Sequence, residues 1–590
     1  MAQDKSTINL IMVLKGRHSF LSLLSMRYLV LATDYDGTLA DQGRVSENIL
    51  NELQAFKAAG RRLILVTGRE MKDLVQVFPE YKILDYIVAE NGALIHEPAT
   101  GKEQLLGPPP DPAFVQALQE RGVRPISVGK VIIATWEPHE KTVLEVIKAA
   151  GSERQVIFNK GAVMILPPGV NKATGLQKLL HSLHLSVHNA VAIGDAENDG
   201  ALLQAAECAV AVANALPGLK SLADRVTDAG HGLGVVELMH GMLATDLKEL
   251  DNSLIRHYLC LGELEDGNPF QISPYRKGIL LAGASGSGKT TFTLSVLETM
   301  IEQGYQFCLI DPEGDYLQLP GAVIIGNDKV FPPMEEIRHL LLEPAQNVVV
   351  CTLAIPLADR PVFFAKFLTF FLDLRKEYGH PHWLLLDEAH HLVPGLAETL
   401  ADKLPEEFNN FIIISTSPHE LSTTSLSRVS TVIAIGKDSA YPFRQFSEKL
   451  QLPMPASIPD LAENEIAIWD REEDGKPVYK ARFRLPEQLQ QRHKKKYAQG
   501  DMSYNSFIFT GPDNKMHLKA NNLMLFAHIA EGIDTETWLF HLHRKDFSRW
   551  FRDSVHDQEL ANVGEEAERI SNTDASKKHI LSYITTKYTG

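Results

Sequence analysis

Between Lys277 and Thr291 the chain runs Gly-Ile-Leu-Leu-Ala and then Gly283-Ala-Ser-Gly286-Ser287-Gly288-Lys289-Thr290-Thr291, with helix-type apolar spacing from Phe292 to Met300. A strand that empties into glycines and then into a lysine-led helix has few ways to fold. Glycines let successive backbone N–H groups turn inward, and the helix N-terminus adds its positive end, so such a loop cradles phosphate. The spacing GxxxxGK[ST] gives each position a task. Gly283, Gly286, Ser287, Gly288 and Thr291 line the phosphates of ATP, Lys289 reaches the β- and γ-phosphates, and Thr290 ligates Mg²⁺. An α/β domain is expected here.

A partner element lies downstream, where the apolar run from Trp383 ends in Asp387-Glu388. Asp387 is placed to enter the Mg²⁺ shell, and Glu388 to polarise the attacking water as a base. The run Phe411 to Thr416 offers a further hydroxyl at a strand end.

The first third carries a different phosphate chemistry. Tyr28-Leu-Val-Leu-Ala-Thr33 leads into Asp34-Tyr35-Asp36-Gly37-Thr38. Alternate strand residues share a face, so both acids project together at the open carboxyl end of a sheet. One carboxylate can attack phosphorus while its neighbour passes a proton, and a hard cation neutralises the crowded charge. Three pieces follow in order: a strand ending in Thr67-Gly68-Arg69, the stretch Gly169-Val-Asn-Lys172-Ala173 opening a helix, and a strand from Val191 ending in Asp195-Ala-Glu-Asn198-Asp199.

These residues resemble the haloacid dehalogenase superfamily, in its Cof-like and sucrose- or trehalose-phosphate phosphatase branch. The resemblance implies Asp34 as nucleophile, forming an aspartyl-phosphate, and Asp36 as general acid/base. It implies Thr67 and Lys172 as holders of the phosphoryl group. It further implies a Mg²⁺ site of Asp34, Asp36 (through its backbone) and Asp195, supported by Asn198 or Asp199. About 100 residues separate Thr67 from Lys172, enough for an inserted α/β cap at about 84–166, which in the family closes over small phosphorylated substrates, often sugars.

The middle of the chain resembles the HerA/FtsK-like branch of P-loop ATPases. Beside the two motifs already named, Asp311-Pro312-Glu313-Gly314-Asp315-Tyr316 looks like that branch's DPxGEY element. The resemblance implies ATP hydrolysis and a ring-forming homo-oligomer that pulls a polymer. Thr416-Ser417-Pro418 departs from the family's Thr-Gln-Arg, which weakens the pulling, and no basic, aromatic-interleaved strip stands out for nucleic acid.

A chain of 590 residues predicts two to four domains. The expected division is an extension at 1–26, a phosphatase at 27–245, an ATPase at 255–485, a linker at 486–503 and a helical domain at 504–590. The fold class is α/β: a Rossmann-like phosphatase core with its cap, a P-loop domain and a small, mainly helical tail. Residues 1–26 read as an ill-fitting extension, with Met26 a plausible start. In the tail, Trp538, Phe540, Phe547, Trp550 and Phe551 are the expected core. Helix-like spacing runs over 518–530, 535–544, 547–553 and 558–570. His528, His541 and His543 there lack the spacing of a metal site.

Lys and Arg number 58 against 74 Asp and Glu, a net −16. Residues 486–590 hold 14 of each sign, so the acidic excess lies in 1–485 and argues against non-specific nucleic-acid coating. The four cysteines form no CxxC, and all are expected to be buried and reduced, as in the cytoplasm. No apolar run is long enough to span a membrane.

The expected function is therefore a Mg²⁺-dependent phosphatase acting on a small phosphorylated substrate such as a sugar phosphate, fused to an ATPase. Three alternatives stand beside it: a nucleic-acid motor with an accessory phosphatase in repair or phage defence, a polynucleotide end-processing enzyme, and a scaffold.

Overall fold

Short runs of aliphatic side chains become strands buried on both faces, as the parallel sheets of α/β folds require. The computed structural model describes residues 26–151, 153–393, 408–471, 477–487, 506–512, 516–520, 522–555 and 557–588. The expected extension apart from Met26, and the expected linker apart from Pro486 and Glu487, lie outside them. The chain divides into two compact units, one ending at Arg484 and one beginning at Leu485.

In the first unit, β1 (Val30–Thr33), β2 (Arg62–Val66), β3 (Tyr86–Ala89), β4 (Leu94–Glu97) and β5 (Lys102–Leu105) come first. A separate antiparallel layer follows, made of β6 (Ser127–Val128), β7 (Ile133–Trp136), β8 (Gln155–Asn159) and β9 (Ala162–Leu166) in the order β6-β7-β9-β8. Helices α1 (Pro112–Glu120) and α2 (Glu140–Ala150) cover it, burying Phe114, Leu118, Val143 and Val146 against Ile133, Val163 and Ile165. The chain then returns through α3 (Lys172–Ser182) to β10 (Ala190–Gly194), β11 (Cys208–Ala211) and β12 (Arg225–Val226). The main sheet has the order β12-β11-β10-β1-β2-β3-β4-β5. It is parallel from β12 to β3 and antiparallel beyond.

The inserted layer thus begins after residue 105, not near 84 as the sequence suggested. Tyr86–Leu105 carries the main sheet outward by three strands, because Ile87, Val88 and Leu94 bury into the main core.

A second sheet of eleven strands uses β13 (Leu259–Leu264), β14 (Pro269–Ile272), β15 (Gly278–Ala282), β16 (Phe307–Asp311), β17 (Ala322–Ile325), β18 (Asn347–Cys351), β19 (Trp383–Leu386), β20 (Phe411–Ser415), β21 (Thr431–Ile435), β22 (Glu465–Asp470) and β23 (Tyr479–Phe483). Its order is β14-β13-β23-β22-β21-β15-β20-β19-β16-β18-β17. The seven strands from β21 to β17 are parallel, and an antiparallel meander closes the other edge. Helix α4 (Lys289–Gln303) follows β15, and α5 (Arg360–Tyr378) precedes β19.

The two sheets meet through a buried polar junction. His188, just before β10, faces Glu207 Oε2 with Nδ1 at 2.5 Å and the carbonyl of Gln303, the last residue of α4, with Nε2 at 3.1 Å. Both partners are acceptors, so the ring donates from both nitrogens and carries a positive charge. Glu207 Oε1 in turn accepts from the hydroxyls of Tyr275 (2.6 Å) and Tyr305 (2.8 Å).

Cys208, Cys308 and Cys351 are buried, but Cys260 is exposed. Alternation along β13 buries Leu259 and Leu261 and turns Cys260 outward, so the expectation of four buried thiols fails at that position.

In the second unit, a hairpin of β24 (Phe507–Phe509) and β25 (Leu518–Ala520) packs with α6 (Leu523–Gly532), α7 (Thr535–His543), α8 (Asp546–Asp553), α9 (Gln558–Ala567) and α10 (Thr573–Tyr588). Trp538, Phe547, Trp550 and Phe551 are core, whereas Phe540 is half-buried beneath the Arg544 guanidinium. Residues 518–520, expected as helix, pair instead with β24. His541 uses one ring nitrogen on Asp546 and the other to accept the Thr510 N–H. No described helix is long and apolar enough to cross a membrane.

Candidate active site

Strands β1 and β10 are neighbours, and Asp34 and Asp195 follow their carboxyl ends, so loops from both sides of β1 converge on one crevice. Asp34 is 5% exposed, and Lys172 Nζ lies 2.6 Å from its Oδ1 and 2.6 Å from Asp199 Oδ1. Asn171 caps α3 by a reciprocal capping box with Thr174, which fixes where Lys172, the first helical residue, points. Burial pushes the Asp34 carboxyl up to about 7; Lys172 opposes this, while Asp199 and Asp195 add to it.

Asp199 spends its second oxygen on the N–H groups of Asp195 and Ala196, both at 3.0 Å. Its carboxylate therefore orients Lys172 and ties the loop. A Cβ at Gly194 would lie 2.6–2.7 Å from the Asp199 side chain, so only glycine fits there. Asn198 lies outside this cluster and donates to Asn91 Oδ1 (3.1 Å). Thr67, 1% exposed, accepts from the Arg69 N–H (3.2 Å) at the end of β2.

The Asp36 carboxylate does not face Asp34's partners. Arg69 grips it through two bonds, Nε to Oδ2 (2.6 Å) and Nη2 to Oδ1 (2.7 Å), and also pairs with Asp73. Its backbone oxygen, 3.0 Å from Lys160 Nζ, points into the crevice beside Asp195 Oδ2 (2.9 Å from the same nitrogen). Asp195 also accepts from Thr38 (3.2 Å). Carboxylate oxygens of Asp34, Asp195 and Asp199 lie within 4.8 Å of one another. An all-oxygen set of this kind suits a hard divalent cation. Another three-residue group, His188, Glu207 and His257, is equally close, but there the His188 nitrogens and the Glu207 oxygens are already spent on the junction.

Sequence reasoning missed Arg69 and Lys160 as site residues. Arg69 lies in the Thr67-Gly68-Arg69 motif, whose threonine hydroxyl is the group that the sequence pattern points to. Lys160 occupies a two-residue turn, and only the Asn159-Lys160-Gly161 turn chemistry marked it.

With this geometry, comparison with known proteins is decisive. The model of the haloacid dehalogenase-like hydrolases matches residues 31–108 and 113–239. The phosphoglycolate phosphatase of Methanothermobacter thermautotrophicus is 32% identical over 217 residues, which are 95% of its length and 35% of this chain. The chain belongs to the haloacid dehalogenase-like hydrolases. Phosphoglycolate phosphatase 2 of Saccharolobus solfataricus is 31% identical over 230 residues, 96% of its length and 38% of this chain. A haloacid dehalogenase-like hydrolase structure from Bacteroides thetaiotaomicron is 18% identical, with a TM-score of 0.33, and is covered in full by 37% of this chain. The membership makes the N-terminal part of this chain a phosphatase of that superfamily.

The other sequence-marked residues gather at the carboxyl edge of the second sheet. Gly286 and Gly288 take φ of 73° and 105° in the loop between β15 and α4, conformations that glycine alone adopts without cost. Lys289 Nζ donates to the carbonyls of Gly283 (3.1 Å) and Ala284 (3.2 Å) and lies 3.9 Å from Glu388 Oε1. Thr290 donates to Asp315 Oδ2 (3.1 Å). Burial, with Glu388 and Asp311 nearby, pushes the Asp387 carboxyl up to about 8. Glu388 adopts a left-handed φ of 37° and accepts from Thr416 (3.5 Å). Asp311 is a loop organiser, taking the N–H groups of Glu313, Gly314, Asp315 and Tyr316 at 2.7–3.2 Å.

Proposed function

We propose that the crevice at β1 and β10 hydrolyses a small phosphate monoester, either a sugar phosphate or a phosphorylated hydroxy acid such as phosphoglycolate. The observation carrying this reading is the buried Asp34–Lys172–Asp199 array facing Asp195. Asp34 Oδ attacks phosphorus and the ester oxygen leaves, so the phosphoryl group passes to the aspartate. Asp36, released from Arg69 and protonated from solvent, passes that proton to the leaving oxygen and, now a carboxylate, takes one from the water that cleaves the aspartyl-phosphate. Thr67 and Lys172 hold the phosphoryl oxygens. Asp34, Asp195 and the backbone oxygen of Asp36 would hold Mg²⁺, which supplies charge neutralisation when bound, while Asp199 keeps Lys172 and the loop in place.

Residues 255–485 are read, as a further part of the proposal, as an ATP-hydrolysing domain. The glycine loop that brings Lys289 within 3.9 Å of Glu388 supports this. Lys289 and Thr290 would turn from their present partners to the nucleotide and its Mg²⁺, with Asp387 beside them and Glu388 acting on water.

Phosphate release with Mg²⁺ from ATP, sugar phosphates and 2-phosphoglycolate tests both halves. Asp34→Asn should remove ester hydrolysis by at least about 10³-fold and leave ATP hydrolysis, and Lys289→Ala should do the reverse. Ester hydrolysis that survives Asp34→Asn would sink the first reading, and ATP hydrolysis that survives Lys289→Ala would sink the second.

A further inference from the structure

The inserted layer sends one cation into the crevice. Lys160 and Gly161 form the turn between β8 and β9 with φ of 49° and 83°, a two-residue turn in which both positions are left-handed. Asparagine or glycine is the favoured residue at the first of these, and a lysine held there marks a functional constraint. The turn aims Lys160 Nζ at Asp195 Oδ2 (2.9 Å) and the Asp36 carbonyl oxygen (3.0 Å). Its path crosses Gly37, where a Cβ would come within 3.0 Å of the ammonium.

Among the described residues three cations serve this crevice, and they are committed differently. Lys172 is buried between Asp34 and Asp199, and Arg69 is half-buried between Asp36 and Asp73. Lys160 has a half-exposed side chain, and its two oxygen partners are the ones a divalent cation would claim. An ammonium and a divalent cation compete for those two oxygens, because both are positive and repel each other at that range. Once the cation is bound, Lys160 is left at the mouth of the crevice without a counter-charge. The incoming molecule is then the source of an anion for it.

We propose that Lys160 is a specificity-determining residue that pairs with a second anionic group of the substrate, a carboxylate placed close to the phosphoester, and that its ammonium exchanges with the divalent cation at Asp195 and the Asp36 carbonyl. This rests on the phosphatase reading above and narrows its substrate class to phosphorylated hydroxy acids. The phosphoryl group itself is the competing partner for Lys160, and the test separates the two.

The full-length protein, Lys160→Met and Lys160→Arg are compared on 2-phosphoglycolate and on 2-hydroxyethyl phosphate, which replaces the carboxylate by a neutral alcohol. The wild type should prefer 2-phosphoglycolate. In Lys160→Met the ratio of kcat/KM values for the two esters should fall at least about tenfold, mainly through KM, with Lys160→Arg keeping part of the preference. Calorimetric titration of the substrate-free proteins with Mg²⁺ should show several-fold tighter binding to Lys160→Met, since no ammonium competes. Equal losses on both esters would assign Lys160 to the phosphoryl group and overturn the proposal. Unchanged Mg²⁺ affinity would overturn the exchange. A wild type that ignores both esters but shows Asp34-dependent hydrolysis of neutral sugar phosphates would refute the substrate class while leaving the phosphatase reading standing.

Discussion

Gly194 shows how narrowly single residues constrain the crevice. It ends β10, and the Asp199 side chain fills the space its missing Cβ leaves. Asp199 cannot step aside, because Lys172 and two backbone N–H groups hold both of its oxygens. Gly194→Ala should therefore displace Asp199, and with it Lys172, by enough to lower phosphatase kcat/KM by about 100-fold or more. The stability cost should stay near the ~1–3 kcal/mol typical of overpacking. Steady-state kinetics read beside a thermal melt separate the two effects: a melt that collapses with activity would make the glycine merely structural.

At the scale of elements, one buried carboxylate joins the inserted layer to the main sheet beside the apolar cluster of Ala93, Val131, Ile132, Met164 and Leu166. Glu90, 1% exposed and at a left-handed φ of 52°, sits just after β3. Its carboxylate accepts the N–H groups of Lys130 (2.8 Å), Val131 (2.8 Å) and Ile132 (3.0 Å), just before β7. Three donors on one charged acceptor form a strong anchor. In Glu90→Gln an amide NH₂ would confront at least one of those donors. Hydrogen exchange at residues 130–132 should then accelerate about tenfold or more, while the amides of β1 and β10 keep their protection. Unaltered exchange at 130–132 would mean that other contacts dock the layer. The strand that follows these donors, β7, pairs with β9, the strand that leaves the Lys160 turn.

At the scale of the first unit, the junction between the sheets carries a buried ion pair. Burial alone would push the Glu207 carboxyl up, but the His188 and His257 rings and the Tyr275 hydroxyl reverse this and hold it well below the ordinary carboxylate range. A carboxyl lowered in the folded state stabilises the protein at pH above its unfolded value, and that stabilisation is lost as pH falls through the carboxylate range and below. Glu207→Gln leaves the charged His188 without a counter-charge, so at pH 7 the unit should lose about 3 kcal/mol. The gap between wild type and variant should narrow as pH falls below about 4, where the unfolded glutamate takes up a proton and the folded one still does not. Urea midpoints between about pH 5 and pH 2 check this; a gap that stays constant or widens across that range would show that the pair does not carry the junction. The junction also touches both sheets at strand and helix ends. His188 leads into β10, whose far end bears Asp195, and Gln303 ends α4, whose first residues are Lys289 and Thr290.

What the sequence by itself determined were the pieces whose physics is local. Aliphatic runs ending in acids or glycines announced β1, β10, β15 and β19, because burial on both faces and the turn into a loop are written in consecutive residues. That ground marked Asp34, Asp195 and the Gly283–Thr290 loop, and the family resemblance added the roles of Asp34, Lys172 and Asp195. Only the tertiary structure decided which of these residues meet, since Lys172 reaches Asp34 across 138 positions and Lys160 reaches Asp195 across 35. No periodicity encodes such a pairing; it exists only once the sheet has closed. For the same reason, the move of Tyr86–Leu105 from the inserted layer into the main sheet, the clasp of Arg69 on Asp36, and the exposure of Cys260 were invisible before folding. Each depends on which surface a segment finds, and that surface is supplied by chain far away.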